Sequence, residues 1–179
     1  HFPLADTDYP NPADCPNPSD DSDLNDLATP LEKVMWASLG TPPAPIGYDE
    51  NGLEKLAAGA KALRESTDKA IIGLFGGNLN EIPQFLFGMA NFFMLLAGEP
   101  ARAHRLLDKL VEMHLENLAK FLSAVGPHID IILFGDDLGM QTGPQISPRM
   151  YREFLHPRYE LMWGRAKQLA DVKVMLHCC

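Results

Sequence analysis

The fold is decided by DIILFGDD, residues 130–137, in which an apolar run ends in a glycine and two adjacent aspartates. A short, continuous apolar run of this kind is typical of a strand that is buried on both faces of a parallel sheet. Two further runs, AIIGLF at residues 70–75 and VKVML at residues 172–176, have the same character. Because helical patterns separate the three runs, the sequence predicts βαβ units and an α/β fold with a parallel sheet.

The segments between these runs repeat their apolar residues at helical spacing. We predict helices at residues 52–66, 82–97, 100–125 and 147–170, with a break in the last one at Pro157. Residues 82–98 carry no charge, and their length is at the short edge of the roughly 17–25 residues that a membrane-spanning helix needs. The same segment contains Pro83, so we predict a buried helix rather than a membrane span.

The chain divides into two parts of different composition. Residues 1–47 are rich in proline, aspartate and asparagine. Proline lacks the N–H donor that helices and sheets need, so we predict an N-terminal arm and connecting segment there. Residues 48–179 carry the strand and helix patterns and form the predicted folded domain. The chain stops directly after the third apolar run, and we therefore expect it to be an internal fragment of a longer protein.

Charge and cysteine content exclude several classes of partner. The chain has 15 Lys and Arg residues against 24 Asp and Glu residues, which gives a net charge of -9. Such a surface repels nucleic-acid phosphates and anionic lipids, so we predict no nucleic-acid or membrane partner. Three cysteines, of which two are adjacent, are too few for a disulfide framework. We predict a cytoplasmic protein whose thiols stay free for a metal or for catalysis.

Polar residues follow the end of each predicted strand. They are Asn78 with Glu81 after the first strand, Asp136 and Asp137 with Gln141 after the second, and HCC at residues 177–179 after the third. Active sites of α/β barrels are built from the carboxyl ends of the strands. The three clusters therefore predict one shared site, in which Asn78, Glu81 and Gln141 bind substrate or cofactor. For Glu81 the alternative is an ordinary carboxylate in the first turn of a helix, where the helix dipole stabilises its negative charge.

The motif His177-x-Cys179 indicates a metal site. Residues i and i+2 of an extended segment point the same way, so the imidazole and the thiolate can face one zinc ion, while Cys178 points to the other side. Zinc usually takes three or four protein ligands, so further ligands would have to come from elsewhere. The alternative is a half-buried histidine and two buried thiols at the end of a strand.

The adjacent carboxylates of Asp136 and Asp137 are unfavourable for stability in a partly desolvated cleft, because like charges repel. Such a pair can act as acid, base or substrate clamp, and we predict a catalytic role for these two residues. The alternative is that one aspartate caps the following turn and the other is solvated.

At these residues the chain resembles the uroporphyrinogen decarboxylase superfamily, and most closely its corrinoid-methyltransferase-like branch. The similar segments are GDDLGMQTGP at residues 135–144 with ISP at residues 146–148, the stretch of residues 81–110, and His177-x-Cys179. The resemblance implies a TIM (β/α)8 barrel, of which this chain would hold an incomplete part. It also implies that His177 and Cys179 bind zinc, with a further cysteine ligand outside this chain.

For function, the resemblance implies zinc-dependent methyl transfer to or from a corrinoid. The expected partners are a corrinoid protein and a small-molecule methyl donor or acceptor, and a homo-oligomer is compatible with the sequence. The first alternative is a uroporphyrinogen III decarboxylase of tetrapyrrole and heme biosynthesis, which needs no metal. The second is a barrel that binds a tetrapyrrole or corrinoid without catalysis. The His-x-Cys pair and the Gly-Asp-Asp-Leu pattern both depart from the decarboxylases and favour the methyltransferase branch.

Overall fold

A computed structural model describes residues 50–179 of the chain, and the predicted N-terminal arm at residues 1–47 lies outside the described residues. The helices and strands, in chain order, are α1 (Glu50–Ser66), β1 (Ile72–Gly76), α2 (Glu81–Phe87), α3 (Met89–Gly98), α4 (Pro100–Val125), β2 (Ile131–Gly135), β3 (Gly139–Met140), β4 (Gly143–Pro144), α5 (Pro148–Met150), α6 (His156–Leu169) and β5 (Lys173–His177). All three predicted strands are therefore present, as β1, β2 and β5.

The three longer strands form a parallel sheet in the order β1-β2-β5. Helices α2 to α4 connect β1 to β2, and helices α5 and α6 connect β2 to β5. The register pairs Ile72 with Ile131, and it pairs Gly135 with His177. The α/β class is confirmed for the described residues, which form a three-stranded part of a parallel sheet and do not close a barrel.

The helices cover one face of this sheet. Helix α4 begins at Pro100, where the missing N–H donor costs nothing. Its apolar side, which includes Phe121, packs against Phe75 of β1, and Phe75 in turn contacts Phe134 of β2. The buried side chains of β2, Ile132 and Phe134, both point to this side. The core of the described residues lies between the sheet and the helices on this side, with buried side chains from α2, α3, α4 and α6.

The opposite face of the sheet is apolar but exposed. Ile72 is 44% exposed, Leu74 is 45% exposed and Met175 is 46% exposed. The prediction of strands covered on both faces is therefore wrong for the described residues. The reason is that the helices pack against the face that carries Ile132 and Phe134 of β2. Among residues 50–179, the face that carries Ile131 and Leu133 is less well covered.

The predicted single helix at residues 82–97 is also wrong, because the chain bends by 110° between α2 and α3. Gly88 forms the bend with a φ of 80°, a backbone conformation that residues other than glycine rarely adopt. The side-chain amide of Asn91 donates to the backbone oxygen of Phe87 at 2.8 Å, which satisfies a carbonyl at the end of α2. None of the described helices alone has the length and apolar character for crossing a membrane, and α2 with α3 reaches both only as this bent pair.

The predicted helix at residues 147–170 is not broken at Pro157, which lies in the first turn of α6, but it is irregular just before that residue. The side chain of Ser147 accepts the N–H of Met150 at 3.2 Å and so caps α5. A π-helical turn, Tyr151–Leu155, then separates α5 from α6. This turn directs α6 across the helix-covered side of the sheet, where Tyr159 is buried under the end of β2.

Candidate metal centre

The carboxyl ends of β1, β2 and β5 meet at one edge of the sheet, as the polar clusters predict. The N–H of Asp136 donates to the backbone oxygen of His177 at 3.0 Å, which continues the β2–β5 pairing past the strands. The N–H of Gly139 donates to the backbone oxygen of Cys179 at 3.0 Å. The loop after β2 therefore lies directly against the chain that follows β5.

Asp136 lies beneath this edge and is fully buried. Its carboxylate accepts the N–H groups of Leu79, Asn80 and Glu81 at 2.6, 2.7 and 2.9 Å, and it also accepts the hydroxyl of Tyr159. Burial raises the pKa of Asp136 to about 7, although all four hydrogen bonds lower it. The contacts are those of a group that holds the N-terminus of α2 against β2, and a catalytic role for Asp136 stays a prediction.

Glu81 stands at the first turn of α2, beside the loop that follows β2. Its Oε2 accepts the side-chain amide of Asn78 at 2.5 Å and the N–H of Asp137 at 3.1 Å. Burial raises the pKa of Glu81, while these two hydrogen bonds lower it. The structure therefore brings Glu81, Asn78 and Asp137 together, as the strand-end pattern predicts.

Asn78 is buried at the end of β1, and its Oδ1 has no hydrogen-bond partner among residues 50–179. Its backbone oxygen lies 3.2 Å from Nε2 of His114, a buried residue of α4. Burial lowers the pKa of His114 to about 4, so the ring is neutral near neutral pH and can donate this hydrogen bond. His114 is thus a satisfied core histidine on the apolar side of α4.

Gln145 is a residue of the site's surroundings that sequence reasoning missed. Its Oε1 accepts the side-chain amides of Asn80 and Gln84, both at 3.0 Å, and its Nε2 donates to the backbone oxygen of Gly139 at 3.0 Å. A lone glutamine between turn residues carries no spacing signal that would have identified it. Gln141, which was predicted to bind substrate or cofactor, is exposed at the turn between β3 and β4 and lies outside this network.

Three side chains at this edge can hold a metal ion together. Atoms of Asp137, His177 and Cys179 that could act as ligands all lie within 4.8 Å of one another. Sγ of Cys179 is 3.6 Å from Nε2 of His177, and Nδ1 of the same ring is 3.8 Å from Oδ1 of Asp137. Cys178 is not part of the group, and its thiol instead faces the backbone oxygen of Cys179 at 3.8 Å.

The spacing of the thiol and the imidazole is compatible with one zinc ion. With Zn–N of about 2.0–2.1 Å and Zn–S of about 2.3 Å, two ligand atoms of one tetrahedral ion lie about 3.5–3.6 Å apart. The 3.6 Å between Sγ of Cys179 and Nε2 of His177 matches this edge. The neighbouring carboxylate of Asp137 raises the pKa of the Cys179 thiol, and a cation between the two groups would reverse that effect.

A parallel sheet with helices between its strands, and a polar cluster at the carboxyl ends of those strands, is the arrangement of α/β barrel enzymes. Residues 41–179 match the family model described as uroporphyrinogen decarboxylase (URO-D). The chain belongs to the uroporphyrinogen decarboxylase family, whose members are decarboxylases or methyltransferases. The resemblance seen in the sequence is thereby confirmed at the level of the family. No curated protein and no solved structure matched the chain.

Proposed function

We propose that this protein belongs to the methyltransferase branch of its family and performs zinc-dependent methyl transfer to or from a corrinoid. The observation that carries the proposal is the 3.6 Å between Sγ of Cys179 and Nε2 of His177, which equals the distance expected between two ligand atoms of a tetrahedral zinc ion. A thiol and an imidazole side by side at a strand end form a ligand pair that zinc prefers, which supports the metal-dependent branch over a decarboxylase that needs no metal. The expected location is the cytoplasm, and the expected partners are a corrinoid protein and a small methyl donor or acceptor.

The chain's own groups would divide the work at this edge. His177 and Cys179 would hold the ion. When bound, zinc lowers the pKa of a thiol of the methyl acceptor that coordinates it, and so makes that thiol a nucleophile at neutral pH. Asp136 keeps the N-terminus of α2 in place by accepting three backbone N–H groups. That contact sets Glu81 and Asn78 beside the ion-binding groups, where a substrate would meet a carboxylate and an amide.

The exposed apolar face of the sheet fits the same proposal. Ile72, Leu74 and Met175 lie on the face that also carries His177 at the strand end. In a (β/α)8 barrel this face would be the interior, which is filled by side chains of the other strands. We infer that the described strands are part of such a barrel, with the metal-binding groups at its mouth.

Metal analysis with matched cysteine variants tests the metal part of the proposal. We expect zinc in the purified protein at one ion per chain, and we expect its loss in His177→Ala and in Cys179→Ser. The control is Cys178→Ser, which changes the adjacent thiol and should keep the zinc. Zinc in neither the wild-type protein nor the control, or equal loss in both cysteine variants, would contradict the proposed site.

Activity assays then separate the function from its alternatives. Incubation with methylcobalamin and a thiol acceptor should demethylate the corrinoid, which is followed by its absorbance, and the reaction should stop when zinc is chelated. Conversion of uroporphyrinogen without zinc would instead support the decarboxylase. Tight corrinoid binding with turnover of neither substrate would support the non-catalytic barrel.

A further inference from the structure

The imidazole of His177 stands between two groups, and each of its nitrogens faces a different one. Nε2 lies 3.6 Å from Sγ of Cys179, whereas Nδ1 lies 3.8 Å from Oδ1 of Asp137. A neutral imidazole that binds an ion through one nitrogen carries its proton on the other. One nitrogen of the ring therefore faces the thiol of Cys179, and the other faces the carboxylate of Asp137.

The loop after β2 also holds the backbone of Cys179. Oδ1 of Asp137 accepts the N–H of Cys179 at 2.9 Å, and the N–H of Gly139 donates to the backbone oxygen of Cys179 at 3.0 Å. A side chain on Gly139 would meet that oxygen at 2.7 Å, so the close approach needs glycine there. The peptide that carries the thiol is thus held at both its N–H and its C=O.

The backbone of Asp137 is fixed in turn by residues that follow β1. Glu81 accepts the N–H of Asp137 at 3.1 Å, and the side-chain amide of Asn80 donates to its backbone oxygen at 2.8 Å. These contacts engage the peptide groups of Asp137 and leave its carboxylate directed toward the end of β5. The backbone that carries this carboxylate is therefore held by contacts that involve no ion.

We propose that Asp137 is a positioning residue, which accepts the Nδ1–H of His177 and the N–H of Cys179 and leaves Nε2 and Sγ to the metal ion. The proposal rests on the metal site of the proposed function. Histidines that bind metals commonly donate their second N–H to a carboxylate, which fixes the tautomer and the ring orientation. The 3.8 Å between Nδ1 and Oδ1 exceeds a hydrogen bond of about 2.7–3.2 Å, so the proposed hydrogen bond requires the two groups to come closer when the ion binds.

Direct ligation by Asp137 is the competing role, since its carboxylate belongs to the same group of side chains. The spacing favours the positioning role, because the matched tetrahedral edge joins Sγ of Cys179 to Nε2 of His177 and the carboxylate faces the other nitrogen. The two roles predict different nitrogens at the ion and different numbers of protein ligands. Both differences can be measured.

The first experiment needs no change in the site. Long-range proton–nitrogen NMR spectra of the zinc-loaded protein with labelled histidine, assigned by comparison with His177→Gln, report which ring nitrogen binds the ion. We expect Nε2 to be metal-bound and Nδ1 to be protonated. A metal-bound Nδ1 would overturn the proposal, and a wild-type protein that binds no zinc would overturn the proposed function together with it.

The second experiment uses variants of Asp137. Asp137→Ala should bind zinc about 10–100-fold more weakly, and Asp137→Asn, which keeps an oxygen acceptor, should recover most of that loss. The control is Asp171→Ala, an exposed aspartate before β5 at the opposite end of the strand, with an affinity within about twofold of wild type. The cobalt-substituted Asp137→Ala protein should keep the thiolate charge-transfer and ligand-field bands of wild type.

Two results would reject the positioning role even if zinc binds to the wild-type protein. One is an affinity of Asp137→Ala equal to that of Asp171→Ala. The other is a cobalt spectrum whose ligand-field bands change in Asp137→Ala, since loss of a direct ligand alters the coordination of the ion.

Discussion

The buried hydrogen bond between Tyr159 and Asp136 can be tested by replacing Tyr159 with phenylalanine. The change removes a hydroxyl that donates to the carboxylate, and it leaves the three backbone donors from residues 79–81 in place. A hydrogen bond to a charged partner contributes about 1.5–3 kcal/mol, and one between neutral groups about 0.5–1.5 kcal/mol. The loss of stability should therefore depend on whether Asp136 is ionised.

The pKa of Asp136 sets the direction of this dependence. Burial raises the pKa of this carboxyl from 3.8 to about 7 in the folded protein. A carboxyl whose pKa is higher in the folded than in the unfolded state contributes stability that is fully present below the unfolded pKa and is lost as pH rises through the folded one. The hydroxyl of Tyr159 opposes this loss, because its hydrogen bond lowers the pKa of Asp136. We expect Tyr159→Phe to cost about 0.5–1.5 kcal/mol well below pH 7 and about 1.5–3 kcal/mol above it.

Urea denaturation on both sides of pH 7, followed by circular dichroism, measures this difference. The matched control is Tyr151→Phe, which removes the hydroxyl of a partly exposed tyrosine and should change the free energy of unfolding by less than about 0.5 kcal/mol. A cost of Tyr159→Phe that is the same at both pH values would refute the assigned ionisation of Asp136. A cost above pH 7 no larger than that of the control would refute the hydrogen bond itself.

Single positions elsewhere in the chain give three further predictions. Gly139→Ala would place a Cβ 2.7 Å from the backbone oxygen of Cys179, so zinc affinity in a calorimetric titration should fall, and an unchanged affinity would contradict the close contact. Gly59→Ala in α1, where the added Cβ meets nothing within 4 Å, should raise the free energy of unfolding in urea by about 0.5–1 kcal/mol. Burial lowers the pKa of His114 from 6.5 to about 4, so its contribution to stability is present above 6.5 and is lost as pH falls toward 4. His114→Gln should flatten the stability profile over that range, and an unchanged profile would place the titration elsewhere.

Elements with a strong local pattern could be predicted from the sequence, and those that depend on a single backbone angle or on very short strands could not. Helices α1 and α4 have regular apolar spacing, and Pro100 indicates where α4 begins. The break between α2 and α3 was missed because Gly88 lies inside a continuous apolar run, and its φ of 80° leaves no mark on that pattern. The hairpin of β3 and β4 was missed because strands of two residues are too short to show alternation.

Burial of the strands was overestimated for a different reason. An apolar run shows that each position can be buried, but what covers a face depends on where the helices pack. Ile72 and Leu74 are as apolar as Phe75, yet the helices cover the side of Phe75 and leave the other two exposed. Side-chain alternation along β1 is thus present in the structure but hidden in the sequence by residues that are apolar on both faces.

The same alternation explains why two adjacent aspartates have different surroundings. Residues 132 and 134 of β2 face the helices, so Asp136 continues on that side and is buried against α2 and Tyr159. Asp137 continues the opposite side, and the β2–β5 register brings that side next to His177, with Cys179 two residues further. Period-two counting from the buried positions therefore separates Asp137, His177 and Cys179 from Asp136 and Cys178. The strand positions, which the apolar runs predict, place the two aspartates on different faces by the same rule that separates the two cysteines. Which of the two is buried depends on where the helices pack, and the apolar runs do not show that.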